Sequence, residues 1–174
     1  MPPLNLIYGP DIIFSQKAEV VTHFDDGLRA LCQNMLDTLY EEKAVGLGAN
    51  MVGILQRIIV IDLQKNGTRD PKIMINPVII EKSDDTQCHE EASVCFPAIG
   101  AKVTRPRKIT LTYQDCHGAQ HELTAEDYFA TVIQHEIDYL NGVIFLDYLS
   151  PLKRKMLLKK TQKIQKQKFQ NNPT

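Results

Sequence analysis

Apolar residues recur at helical intervals at Leu28, Leu31, Cys32, Met35, Leu36 and Leu39. They follow Asp25-Asp26, so an amphipathic helix capped there is predicted to run to about Glu42. Residues 54–63 and 73–80 are short runs rich in β-branched side chains, and Lys108 to Tyr113 alternates Ile109, Leu111 and Tyr113 against Thr110 and Thr112. These read as strands, with Pro77 marking an edge or a bulge. Asp115-Cys116-His117-Gly118 is a turn signal before a further strand at Gln120 to Leu123, which predicts a hairpin.

Thr124 and Asp127 resemble a capping box and Gly142 is a natural stop, so a helix is expected over Ala125 to Asn141. Phe129, Val132, Ile133, Ile137 and Leu140 cover much of its circumference, as in a helix enclosed by sheets. Ser150-Pro151 pairs an N-cap with a first-turn proline and opens a last helix through Leu152, Met156, Leu157 and Ile164. Strands first, a buried helix late and no regular β-α alternation predict an α+β fold, mostly antiparallel sheet around that buried helix.

Composition narrows this picture. A chain of 174 residues suits one domain, with a basic helix over about 150–170 and a polar tail at 171–174. No segment reaches membrane-spanning length and the start lacks a signal-peptide pattern, so a cytoplasmic protein without membrane contact is expected. Cys32, Cys88, Cys95 and Cys116 lack C-x-x-C spacing and read as reduced thiols. The net charge of −1 conceals a tail with no acid after Asp147 but with Lys153, Arg154, Lys155, Lys159, Lys160, Lys163, Lys166 and Lys168. That run reads either as a solvated helix face or as one turned toward RNA or an acidic partner.

Candidate chemistry centres on Gln134-His135-Glu136-Ile137-Asp138-Tyr139. In H-E-x-x-H, two histidines one helical turn apart converge on a metal while the glutamate handles protons. Tyr139 stands where the second histidine belongs, and a phenol with a pKa near ~10 is a poor ligand at neutral pH.

Three segments in order resemble the bacterial-type peptide deformylases, metalloenzymes that remove the N-terminal formyl group from nascent proteins. They are Ala44-Val45-Gly46-Leu47-Gly48-Ala49-Asn50-Met51, Glu91-Ala92-Ser93-Val94-Cys95-Phe96-Pro97 and Gln134 to Tyr139. Residues 102–106, 109–118 and 149–154 are also similar to the family. The resemblance places the metal ligands at Ser93, His135 and Tyr139, of which only His135 keeps the family's residue type. It makes Glu136 the general acid/base, and puts Met51 where the family has an oxyanion-stabilising glutamine beside the Val94 backbone N–H. Val45, Gly46 and Ala92 fall where the family binds the peptide main chain.

A serine hydroxyl replaces a thiolate badly, so none of the family's cofactors, Fe2+, Ni2+ or Zn2+, is expected to bind. Without a metal, nothing lowers the pKa of water from 15.7 to about 7, and losing one oxyanion donor typically costs about 10²–10³ in turnover. Cys95 is no obvious substitute, because a two-residue step along a strand moves a side chain by about 6.6 Å. Tyr139 is expected to fill the metal's place, with Ser93 or Glu136 as partner of its hydroxyl. The expected function is therefore a peptide-deformylase-like protein without deformylase activity that still binds peptide N-termini or nascent chains, with the basic helix near the ribosome. The alternative is an active deformylase with an altered metal site. Ser93, His135 and a carboxylate, Glu136 or Asp138, also contain the components of a serine hydrolase, although sequence alone gives no geometry for them.

Overall fold

A computed structural model describes residues 3–171; Met1, Pro2 and the last part of the polar tail, residues 172–174, lie outside the described residues. Helix α1 (Asp26–Glu41) begins where expected, with the Asp25 carboxylate accepting from the Leu28 N–H. Its buried face is Leu28, Cys32, Met35, Leu36 and Leu39.

Strands β1 (Gly46–Gly48), β2 (Ile58–Ile61), β3 (Lys72–Lys82), β6 (Lys108–Gln114) and β7 (Gln120–Glu126) form an antiparallel sheet in the order β1-β2-β3-β6-β7. The strand expected over 54–63 is shorter, with only Ile58–Ile61 joining the sheet; upstream, Ala49–Val52 coils into a 3-10 turn ended by Gly53 at φ 83°. Residues 55–57 then pair with Glu19 before β2 begins. Pro77 lies at a bulge between Ile75 and Val78, as expected, just past Ile75 where the pairing with β2 ends and only β6 continues alongside β3.

A second, two-stranded sheet joins β4 (Thr86–Ser93) to β5 (Phe96–Pro106). Helix α2 (Asp127–Leu140) lies between the sheets with ten of its fourteen residues buried, as its all-round apolar pattern requires. Its start differs from expectation. Thr124 stays in β7 with its hydroxyl 3.1 Å from that of Thr110, so the strand runs straight into the helix and Glu126 precedes it without a side-chain cap. Cross-strand pairing has claimed the residue that would have capped. At the other end Gly142 (φ 76°) is obligatory, because a Cβ there would fall 2.8 Å from the Ser15 carbonyl oxygen.

Helix α3 (Pro151–Asn171) spans the stretch expected for the basic helix. Leu152 and Met156 are exposed; Leu157, Leu158 and Thr161 make the contact, with the Thr161 hydroxyl donating to the Pro97 carbonyl at 2.8 Å. No helix among the described residues is long and apolar enough to cross a membrane.

Candidate active site

The cleft between the sheets, about 490 Å³, is bounded by two strand edges without partners, one on β1 and one on β4. Val45, Gly46 and Ala92 lie on these walls, while His135 and Glu136 reach it from α2. All three resembling segments therefore meet at one place. Met51 and Val94 also line it, so the residues at the oxyanion positions are adjacent to the rest.

His135 is oriented by a carboxylate: its Nδ1 is 2.7 Å from Glu91 Oε1. Glu91 is itself held by Arg105, whose Nε and Nη2 donate at 2.7 and 2.9 Å. Arg105 Nη1 continues to Asp138 at 2.8 Å, and the Tyr148 hydroxyl donates to the same Asp138 oxygen at 2.7 Å. Burial opposes ionisation of Glu91, but the bonds from Arg105 and His135 outweigh it and hold the carboxyl below its ordinary pKa. Glu91 and Arg105 went unassigned in the sequence reading. A glutamate opening the second segment was the only available signal, and its partners come from elements 14 and 44 residues away.

Glu136 has a different environment. Burial pushes its pKa up to about 7, the nearby His135 charge opposing the shift and Glu91 adding to it. Its Oε2 has no hydrogen-bond partner. Gly46 leaves room for this carboxyl, since a Cβ there would fall 2.5 Å from Glu136 Oε1.

Tyr139 is fully buried, its ring edge-on to Phe14 at 5.5 Å and tilted against His135 at 5.2 Å. The ring fills core, as expected, and its hydroxyl, which makes no hydrogen bond of full geometry, faces the Ser93 hydroxyl, whose hydrogen-bonding favours the ionised phenol. Burial, then the Cys95 thiol, raise its pKa well above the usual phenol value, so it is neutral. Asn50 joins this floor, donating to the Tyr139 carbonyl at 2.7 Å while its own Oδ1 is unpaired.

Ser93 and Cys95 are not two positions on an extended strand. Residues 94–95 form the turn between β4 and β5, and the Cys95 N–H donates to Ser93 Oγ at 3.3 Å. Cys95 is wholly buried, and burial followed by the Glu136 charge raises its thiol far above the ordinary range. It supplies no thiolate near neutral pH. One imidazole, one serine hydroxyl and one neutral phenol do not fit a Cys-His-His metal site, and the described residues contain no cluster of three or more His, Cys, Asp or Glu able to hold a metal.

Residues 3–155 match the family described as polypeptide deformylase. The chain is 49% identical over 162 residues to a "Peptide deformylase-like" protein of Rickettsia conorii, covering 93% of this chain and 88% of the relative. It is 41% identical over 164 residues to the peptide deformylase of Brucella suis, covering 94% of each. Among solved structures, a peptide deformylase from Legionella pneumophila superposes with a TM-score of 0.91 at 34% identity, covering 96% of this chain and 98% of that one. These matches correct the expectation of a chain without deformylase activity that only binds peptides: near-full-length relatives are named peptide deformylase, and the altered ligand positions interrupt neither fold nor cleft.

Proposed function

The chain belongs to the polypeptide deformylase family, and from that premise we propose that it is a deformylase with an altered site, a hydrolase that cleaves the formyl amide from a peptide's N-terminal methionine in the cytoplasm. Glu136 carries this reading. A fully buried carboxyl with a vacant oxygen, at the floor of a cleft with two open strand edges, is placed for proton transfer to a bound amide. Its pKa of about 7 leaves both protonation states populated near neutrality, so it can take a proton from a nucleophile and return one to the departing amine.

An extended peptide suits the cleft because main-chain groups at Val45 and Gly46 on one side and Ala92 on the other can pair with an added strand. The Val94 N–H is the oxyanion donor in this reading, since the Met51 thioether has no proton to give. The donor set does not fit the family's metal, and no step is assigned to one. The basic face of α3, following the last acid at Asp147, favours a place near ribosomal RNA and the emerging chain.

The test is formate release from formyl-Met-Ala-Ser by untagged protein, as purified and with Fe2+, Ni2+ or Zn2+ added. Release is expected, with Glu136→Gln lowering it by about 10²-fold or more. No release under any of these conditions overturns the reading.

A further inference from the structure

We infer that Cys32 and Cys116 form a thiol modification site, placed to join in a disulfide that staples α1 to the β6–β7 hairpin when a low-molecular-weight disulfide acts as oxidant. The inference is independent of the deformylase reading. Cys32 lies on the buried face of α1 with no exposure, and Cys116 is half-buried in the turn between β6 and β7. Both side chains belong to one hydrophobic cluster, and within it the two thiols are hydrogen-bonded to each other. Sulfurs in that contact need only a short approach to reach the S–S separation of about 2.05 Å.

The turn is seated firmly on the helix. Arg29 lies three residues before Cys32 on the same side of α1, and its Nη1 donates to the Phe24 carbonyl at 3.2 Å and to the Cys116 carbonyl at 3.4 Å. Asp115 Oδ1 braces the turn from within, accepting from the His117 N–H at 2.8 Å and the Ala119 N–H at 3.0 Å. Gly118, at φ 83°, presses against the segment that leads into α1, since a Cβ there would fall 3.3 Å from the Phe24 ring. A cysteine that only filled space would meet apolar groups, whereas Cys32 meets a second thiol. Cys88 and Cys95 lie on β4 and at the β4–β5 turn, in the other sheet.

The bond would join distant parts of the five-stranded sheet. Helix α1 packs on β1 and β2, while the turn belongs to β6 and β7 on the other side of the strand order. A disulfide between them closes the sheet through the helix, and α1 leads directly into residues 42–46, which form one wall of the cleft.

The exchange balances with the disulfide as the sole co-reactant. Cys116 is the thiol that an oxidant RSSR can reach, because Cys32 is enclosed. The Cys116 thiolate attacks one sulfur, the R–S–S–R bond breaks, and the first RSH leaves with the Cys116 proton. Cys32 Sγ then attacks Cys116 Sγ, the mixed disulfide breaks, and the second RSH leaves with the Cys32 proton. The protein loses two electrons and two protons, and RSSR gains them. Burial and then the neighbouring Cys116 push the Cys32 thiol up to about 12, so Cys32 is the slower of the two to react.

The experiment incubates untagged, folded, fully reduced protein with glutathione disulfide, quenches with iodoacetamide, and reads intact mass, a non-reducing peptide map and the thermal midpoint. The expected product is a monomer lighter by two hydrogens at Cys32 and Cys116, which the map shows joined to each other, with Cys88 free of that bond. Its thermal midpoint should rise by about 10 °C, because the cross-link closes a long loop, and dithiothreitol should reverse the rise. Cys116→Ser, a change at a half-buried position, should lose both the bond and the rise, whereas Cys88→Ser should keep both. A lasting glutathione adduct on Cys116, a disulfide mapped to another pair, or no oxidation of the folded protein overturns the inference. Formation of the Cys32–Cys116 bond with an unchanged or lowered midpoint overturns the staple.

Discussion

Two buried polar clusters share helix α2 and differ in one respect. Around Arg105 the hydrogen-bonding capacity is well used: its fork reaches Glu91 and Asp138, Glu91 also holds His135, and Asp138 also holds Tyr148. One turn away, at the cleft floor, Glu136 Oε2, the Tyr139 hydroxyl and Asn50 Oδ1 are all buried and unpaired. An unsatisfied buried polar group costs on the order of 1–3 kcal/mol, so the first cluster holds the structure while the second weakens it. A fold retains the second kind of cluster where a ligand or a reacting proton completes it.

Completing the floor with a metal is the largest change that tests this contrast. The double variant Ser93→Cys and Tyr139→His restores the family's ligand types, and is expected to bind about one equivalent of Zn2+, Ni2+ or Fe2+ with an apparent free energy of order 10 kcal/mol. Elemental analysis and competitive chelation read this directly; a variant no tighter than the parent would mean that the backbone no longer converges on one point. Breaking the saturated cluster should have the next largest effect. Arg105→Ala strands Glu91 and Asp138 and should destabilise by about 3–5 kcal/mol in urea unfolding, and a loss under 1 kcal/mol would show that water satisfies them.

Glu136 gives a pH-dependent test. Its folded pKa, about 7, lies above its unfolded value, so the folded state binds the extra proton and this group's burial costs stability increasingly as pH rises from about 4.5 to 7. Glu136→Gln removes that cost. The variant should gain about 3 kcal/mol relative to the parent between pH 4.5 and pH 8, and a constant difference across that range would argue against the raised pKa. The smallest effect is expected at Tyr139→Phe, which keeps the ring against Phe14 and His135 but deletes the unpaired hydroxyl. A gain of about 1–2 kcal/mol should appear as a higher thermal midpoint, and a loss would reveal a partner for the hydroxyl.

How far the sequence could be read depended on how local the determining interactions were. The α1 start was legible because Asp25 caps a nitrogen three residues on, and the β6–β7 hairpin because Asp115 itself accepts from the His117 and Ala119 N–H groups. Strand β4 was not, since Thr86 to Ser93 is largely polar and gains strand character only by pairing with β5. The α2 start misled because Thr110, fourteen residues away, took the Thr124 hydroxyl.

The amino-acid order alone determined the residue types at the site: a serine, an imidazole, a phenol and a thioether where the resembling family has its thiolate, two histidines and an amide. It also fixed the spacing that puts His135, Glu136 and Tyr139 on one helix. Only the tertiary structure decided which carboxylate orients His135, that residues 94–95 turn instead of extending, and which polar atoms remain unpaired. Composition and periodicity record what each residue is and which face of its element it shares. Hydrogen-bond satisfaction and pKa depend on the groups that distant segments bring within about 3 Å, and on how much water packing removes.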